Sequence, residues 1–275
     1  MKIAIVGLGL IGASLAKAIK AHTNHHILGI DLNADVLSAA AKDGVIDQAG
    51  TPEDLDDIDL TILAIYPEAT IQFVKTHAAV FAPDSIVMDT CGVKRQICEH
   101  LAPVAVRYGF YFLGGHPMAG KEQNGYVASC ADLFEGASMI LTPTEQDSFV
   151  LKTVSDLAIS IGFGKVTIST PEEHDRIIAY TSQLPHVLAC AYVLDPDARL
   201  HAGFSAGSYK DVSRVATINA PMWRELFLEN RDCLSGHIQT LIQNLTKLNN
   251  CIRQSDGAQL EQMLADSDRI KRQIG

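Results

Sequence analysis

At 275 residues the chain has room for one large domain or two ordinary ones. An apolar share of 47% against 20% charged residues describes a soluble globular protein able to bury a substantial core. The formal net charge of −10, with no basic run longer than Lys94-Arg95, excludes nucleic acid as a partner, because a polyanion needs a basic face.

Lys2 to Val6 reads as a buried strand and Ile11 to His22 as a helix, and between them runs Gly7-Leu8-Gly9-Leu10-Ile11-Gly12. This is G-x-G-x-x-G in its proper context. The first glycine permits the tight turn, the second lets a pyrophosphate approach the backbone, and the third lets helix and strand pack closely. The phosphates then meet free N–H groups at the positive end of the helix. The same glycines, with the strand that follows, argue against reading Met1-Lys2 and the apolar run as a secretory leader. His26 to Ile30 is the second strand, and Asp31 lies 19 residues past Gly12, where ribose hydroxyls belong. No arginine follows to receive a 2′-phosphate, so the expected cofactor is NAD rather than NADP. Asn33 can cap a helix ending at Gly44.

Leu60 to Ile65, Ser85 to Asp89, Tyr111 to Gly114, Ser138 to Leu141 and Lys165 to Ser169 are further strands, with helices between most of them. Ala64 and Tyr66, at the end of the first of these, are placed along the dinucleotide groove. Strands apolar throughout imply a sheet covered on both faces. The expected fold is therefore α/β, a Rossmann-type doubly wound, mostly parallel sheet spanning residues 1–169. Thr170-Pro171-Glu172-Glu173 then combines a capping residue, a proline and glutamates into a helix start, and only helical periodicity follows. Residues 170–275 are expected to form an all-helical substrate-binding and dimerisation domain. Pro185 should interrupt its first helix. Asn219 should begin a helix of some 30 residues, about 45 Å long, carrying Leu234, Ile238, Leu241, Leu245, Leu248 and Ile252. A domain of this size cannot cover such a stripe, which points to a homodimer. Six cysteines without a C-x-x-C pair fit reduced thiols in the cytoplasm, not a zinc site or disulfide framework. No apolar run is long enough for a membrane span.

Oxidation of an alcohol needs a group that takes the hydroxyl proton as hydride leaves, and histidine suits neutral pH. His116 follows the strand Tyr111–Gly114 at its carboxyl end, where ligands bind in this architecture. On spacing alone, a structural histidine and a base remain equally open there.

The run Leu113-Gly114-Gly115-His116-Pro117-Met118-Ala119-Gly120-Lys121-Glu122, with Gly125 beyond, resembles the signature of the prephenate and arogenate dehydrogenases, the TyrA-type enzymes of tyrosine synthesis. Asp89-Thr90-Cys91-Gly92-Val93-Lys94, Leu133-Phe134-Glu135-Gly136, Ser182-Gln183-Leu184-Pro185-His186, Tyr209-Lys210-Asp211-Val212-Ser213-Arg214 and Pro221-Met222-Trp223 extend the resemblance in order over almost the whole chain. It implies that prephenate and NAD give 4-hydroxyphenylpyruvate, carbon dioxide and NADH. It also implies that His116 accepts the ring hydroxyl's hydrogen bond or proton, and that Arg214 binds a substrate carboxylate. Glu122, Thr90, Gly92 and His186 are the further substrate-side candidates. Members of the family often carry a serine near the histidine, at the place where Gly92 stands, so Thr90 or water is expected to replace it. Gln183 stands where they commonly have a second histidine. The lack of an acid there favours prephenate over arogenate, whose ammonium would want a carboxylate.

Two other readings stay open. A β-hydroxyacid-type dehydrogenase would use Lys210, behind the glycine-rich stretch Gly203 to Gly207, and make His116 incidental. A dinucleotide-sensing regulator would need a partner-binding module, for which there is no basic helix.

Overall fold

Alternate residues of the first strand feed two different cores, which is why the strands read as apolar throughout. In β1 (Lys2–Val6), Ile3 and Ile5 join one buried cluster, with Leu15 and Ile19 of α1 (Leu10–His22) and Val154 and Leu157 of α5 (Ser148–Ser160). Ala4 and Val6 join the other, with Ile71 and Val74 of α3 (Pro67–His77) and Ile97 and Leu101 of α4 (Arg95–Tyr108). Such two-sided burial is the signature of a parallel sheet between helical layers. This structure, a computed structural model, describes every residue except Glu122 and residues 145–147.

The remaining strands are β2 (His26–Ile30), β3 (Gln48–Ala49), β4 (Leu60–Leu63), β5 (Ile86–Asp89), β6 (Tyr111–Pro117), β7 (Ser138–Pro143) and β8 (Lys165–Ile168). All eight form one sheet in the order β3-β2-β1-β4-β5-β6-β7-β8. Every pairing is parallel except β6 with β7. The order reverses at β1, so a crevice opens between the carboxyl ends of β1 and β4. The doubly wound α/β fold expected of the sequence is therefore present. Asn33 caps α2 (Ala34–Lys42), accepting from the N–H groups of Asp35 and Val36.

Two details differ from expectation. The antiparallel partner β7 extends β6 to Pro117 and pairs His116 with Ile140, so His116 sits inside a strand rather than after it. A two-residue edge strand, β3, is too short and polar to leave a sequence signal.

From Pro171 onward every described element is helical. Thr170 accepts from the Glu173 N–H and starts α6 (Pro171–Ile178). A π-helical turn, Ala179–Gln183, leads into α7 (Leu184–Val193) with Pro185 in its first turn; the widened turn accommodates the donor that proline lacks. Beyond α8 (Gly207–Ser213), the long helix expected from Asn219 is two helices, α9 (Ala220–Glu229) and α10 (Arg231–Gln254), and α11 (Gly257–Ile274) follows them. The reason for the break is Asn230. It is fully buried and its side chain donates to Asp175 O at 2.8 Å and Gln183 Oε1 at 2.9 Å, so the backbone bends to deliver it. Ser255, at φ 56°, closes α10 in the left-handed region. Ile242, Leu245 and Ile252 of α10 are exposed. Among the described residues no helix is long and apolar enough to cross a membrane.

Candidate active site

The turn after β1 fits a dinucleotide. Gly7 has φ +88°, and a Cβ on it would lie 2.6 Å from Ala64 O. A Cβ on Gly12 would lie 1.9 Å from Gly7 O, whereas one on Gly9 would meet nothing within 4 Å. Gly7 and Gly12 thus build the turn, and Gly9 leaves it open to a ligand. The first turn of α1 has no acidic residue, so its N–H groups keep their positive field for an anion. Asp31 accepts from Leu8 N at 2.7 Å through Oδ2 and from Asn33 N at 2.8 Å through Oδ1. It is thereby fixed at the tip of β2, while the Leu8 side chain is buried in the core.

A cleft of about 570 Å³ runs from this turn to the helical region. Gly9, Leu10 and Ile11 form one end, Ala64, Tyr66, Thr90, Gly92 and His116 the middle, and His186 and Arg214 the far side. Gly7, Leu8, Gly12 and Asp31 are not in its wall; they hold the wall in place. Glu122 lies outside the described residues.

His116 is presented by β6 where the strand ends are pinned from below. The wholly buried carboxylate of Asp89 accepts from Cys91 N at 2.8 Å and Gly115 N at 3.2 Å. It also makes an ion pair with Lys94, which is equally buried. Burial alone would discharge that lysine, but Asp89 keeps it an ammonium. A Cβ on Gly115 would lie 2.6 Å from Asp89 O, so only glycine lets β6 lie this close to the end of β5.

The ring of His116 then begins a chain of hydrogen bonds. Its Nδ1 is 2.9 Å from His174 Nε2, and His174 Nδ1 is 2.7 Å from Asp175 Oδ1. Asp175 also accepts from the backbone N–H groups of Lys94 and Arg95, at 2.8 and 3.0 Å, and from Arg95 Nε. Burial opposes its ionisation, but the His174 and backbone bonds hold its carboxyl below the usual range. An ionised Asp175 accepts the hydrogen bond from the Nδ1–H of a neutral His174, so His174 Nε2 is a bare acceptor. His116 then donates from Nδ1, which leaves Nε2 unprotonated. A Cβ built on Gly92 would be 3.9 Å from that Nε2, so the nitrogen lies beside Gly92, and both residues line the cleft. Burial first, then His174 and Lys94, keep the His116 imidazole well below its ordinary range. His174 is lowered as well, chiefly by burial. The site therefore holds a neutral imidazole of fixed tautomer.

The partner of His116 was not visible in the sequence. Thr90 does not fill that place, because its hydroxyl donates to Leu63 O at 3.1 Å. Nor does Cys91, whose thiol points to Ile65 O at 3.4 Å and is pushed far up by burial. His174 stands 58 positions further on, beside an aspartate in a helix that the capping pattern had already explained. Its one signal was an adjacent His-Asp pair directly after a helix start.

On the helical side, His186 donates from Nδ1 to Ser182 O at 2.8 Å and stacks on Trp223, ring centres 3.8 Å apart. Burial, with a smaller contribution from Arg214, lowers its imidazole. Arg214 opens a short 3-10 turn after α8 and reaches the cleft. Gln183 does not offer its amide to a ligand: its Nε2 donates to Leu226 O at 3.2 Å and its Oε1 accepts from Asn230. Lys210 is exposed and is not among the residues that line the cleft, which removes the main support for a lysine-centred reaction. Arg95 ties the sheet to the helices, reaching Asp232 at 2.5 and 2.8 Å and Asn230 at 3.0 Å.

Comparison with known proteins shows the family. Residues 15–166 match the family described as prephenate dehydrogenase, nucleotide-binding domain, and residues 170–266 match prephenate dehydrogenase, dimerization domain. The chain is 31% identical over 267 residues to a prephenate dehydrogenase of Bacillus subtilis, covering 94% of this chain and 72% of that protein. It is 30% identical over 281 residues to a cyclohexadienyl dehydrogenase of Zymomonas mobilis, covering 98% and 94%. Among solved structures, that of an A. aeolicus prephenate dehydrogenase in complex with hydroxyphenyl propionate and NAD+ superposes with a TM-score of 0.88 at 30% identity, covering 100% and 99%. A Synechocystis arogenate dehydrogenase gives 0.84 at 27% identity, covering all of both chains.

Proposed function

The chain belongs to the prephenate dehydrogenase family, and from that premise we propose that it oxidatively decarboxylates prephenate with NAD in tyrosine synthesis, using His116 as the base. The observation that carries the residue assignment is the His116–His174–Asp175 chain, which leaves an unprotonated nitrogen at the wall of the cleft. The ring hydroxyl donates to His116 Nε2 and passes its proton there as the carbon–hydrogen bond opposite loses hydride. NAD, when bound, supplies the hydride acceptor. Loss of the ring carboxylate as carbon dioxide then sends its electron pair through the ring to the oxygen, which takes the proton back from His116 and leaves an aromatic phenol, so the protein's task is chiefly orientation. Arg214, a planar guanidinium, suits a substrate carboxylate. His186, fixed on Trp223, offers Nε2 beside it. Gly92 leaves room for the substrate hydroxyl, and Thr90 shapes the wall between the two. Glu122 remains a substrate-side candidate on the family resemblance alone. Gly7, Gly9 and Gly12, with Leu8, Leu10 and Ile11, hold the cofactor's phosphates, Asp31 its ribose, and Ala64 and Tyr66 flank it.

No carboxylate lines the cleft among the described residues, which favours the keto acid prephenate over arogenate and its ammonium. Steady-state NADH formation with each substrate tests this: prephenate should be turned over with a kcat/KM at least about tenfold higher, a difference of about 1.4 kcal/mol. His116→Asn should lose about 10²- to 10⁴-fold with either. A strong preference for arogenate, or an active His116→Asn, overturns the respective assignment. We divide the chain at residues 169 and 170, and assign the exposed Ile242, Leu245 and Ile252 of α10 to a homodimer interface. Sedimentation of an Ile252→Glu variant as a monomer would support that interface.

A further inference from the structure

We propose that Lys121 is the cation that binds the cofactor's pyrophosphate from above, closing the glycine-rich turn with a second, side-chain contact. This rests on the NAD-dependent reading of the same cleft. The turn itself offers the phosphates only backbone N–H groups, and the chain as a whole carries a net charge of −10, so a doubly negative group needs a local cation. Of the described residues along the cleft, the two with permanently cationic side chains are Arg214 and Lys121, and they stand on different sides. Arg214 neighbours Val215, Thr217 and Trp223 on the helical side. Lys121 belongs to the segment after β6 that folds back over α1.

That segment is fastened to α1 and to the end of α2. Cys130 N donates to Ser14 Oγ at 3.1 Å, one turn in from the start of α1. Lys17 Nζ donates to Ser129 O at 3.0 Å and lies 4.9 Å from the centre of the Tyr126 ring. Tyr126 donates to Asp43 at 2.9 Å. Lys121 Nζ rests 2.9 Å from the Cys130 thiol, so its ammonium hangs beside the first turns of the phosphate-facing helix. A thiol is a weak acceptor. A phosphate oxygen is a far stronger one, and an exposed lysine is free to exchange the first for the second at little cost. The lysine stem is long and flexible, which suits a point charge over a diphosphate.

The test is equilibrium titration of the whole enzyme with NAD and, separately, with ADP-ribose and adenosine, for wild type, Lys121→Gln and Lys121→Arg. Lys121→Gln should weaken NAD and ADP-ribose about tenfold, as loss of one charge-assisted contact would, and leave adenosine unchanged. Lys121→Arg should restore most of the loss. The wild-type affinity for NAD should fall more steeply with added salt than that of the glutamine variant. In turnover, KM for NAD should rise while KM for prephenate stays within about twofold. If NAD binding is untouched and KM for prephenate rises instead, the lysine serves a substrate carboxylate and the proposal is wrong. If neither changes, it is a solvated loop charge and the proposal is equally wrong. Failure of the wild type to reduce NAD with prephenate would count against the reaction, not against this contact, because the binding titrations stand without turnover.

Discussion

Replacing His174, which does not line the cleft, by leucine should disable the imidazole that it positions. The change is close in volume and keeps the site apolar, so its main effect is to take away the acceptor of the His116 Nδ1 proton, 2.9 Å distant. A buried hydrogen bond of this kind contributes about 1–1.5 kcal/mol net, which is about tenfold in the population of the productive tautomer. Freedom of the ring to rotate costs more, out of the 10²- to 10⁴-fold that a positioned base supplies. We expect kcat/KM to fall about 10- to 100-fold, with a loss of about 1–3 kcal/mol in stability from the orphaned donor. His174→Gln should recover most of the activity, because one amide can donate to Asp175 and accept from His116. The pH profile separates positioning from mere packing. A base acts unprotonated, so wild-type kcat/KM should be level through neutrality and decline only well below the ordinary imidazole pKa of about 6.5, where the lowered His116 takes up its proton. Without His174, one of the causes of that lowering is gone, and the acid limb should move up toward the ordinary value. Stopped-flow or steady-state NADH formation from pH 5 to 9 reads both. A leucine variant with wild-type kcat/KM and an unmoved acid limb would refute the relay.

Glu229 is expected to be a stability liability above neutrality. Its Oε2 is buried with no hydrogen-bond partner among the described residues, and burial, then Glu225, Glu68 and Asp175, push its carboxyl up to about 7. The folded state therefore keeps a proton that the unfolded chain gives up above about 4.3, and stability is lost as pH rises from there to about 7. The side chain is only partly buried, so the cost is about 1 kcal/mol, not the full value of the shift. Glu229→Gln should unfold at a higher temperature than wild type at pH 8 and at nearly the same temperature at pH 4; equal melting at both would refute it. Asp31→Ser should raise KM for NAD about 10- to 100-fold, for the loss of bonds from ribose to a charged acceptor, and narrow the preference over NADP. Unchanged discrimination in kinetics with both cofactors would place the ribose elsewhere.

What could be read in the sequence was what repeats locally. The turn Gly7 to Gly12 and the acid at Asp31 carry their geometry in their spacing, because Gly12 packs on Gly7 O within the turn, Gly9 leaves it open and Asp31 accepts from Leu8 N beside it. Thr170, Asn33 and Pro185 likewise act on neighbours. The errors arose where a distant residue decided a local shape. Asn219 to Gln254 has the periodicity of one long helix, and nothing nearby says that Asn230 will be drawn inward by Asp175 and Gln183. His116 stood out by position and by family resemblance, whereas His174 did not, since its role exists only once α6 has docked on the sheet. Gln183 shows the converse. It looked like a substituted ligand and is a structural amide.

The polar groups around the base are one connected system rather than a set of separate contacts. Asp89 grips the strand that carries His116 and holds Lys94 charged; the Lys94 and Arg95 backbone N–H groups hold Asp175; Asp175 fixes His174, which fixes His116. Arg95 and Asn230 bind the same aspartate to α10. The sheet contributes the imidazole, but the helical region contributes its tautomer. A shift of α6 or α10 by even an ångström would leave His116 chemically intact and wrongly protonated, since hydrogen bonds of this length weaken steeply with distance and angle. Correct docking of the helices is therefore a condition for this tautomer of His116, at a junction that holds its buried charges in pairs although apolar packing alone would be the more stable choice.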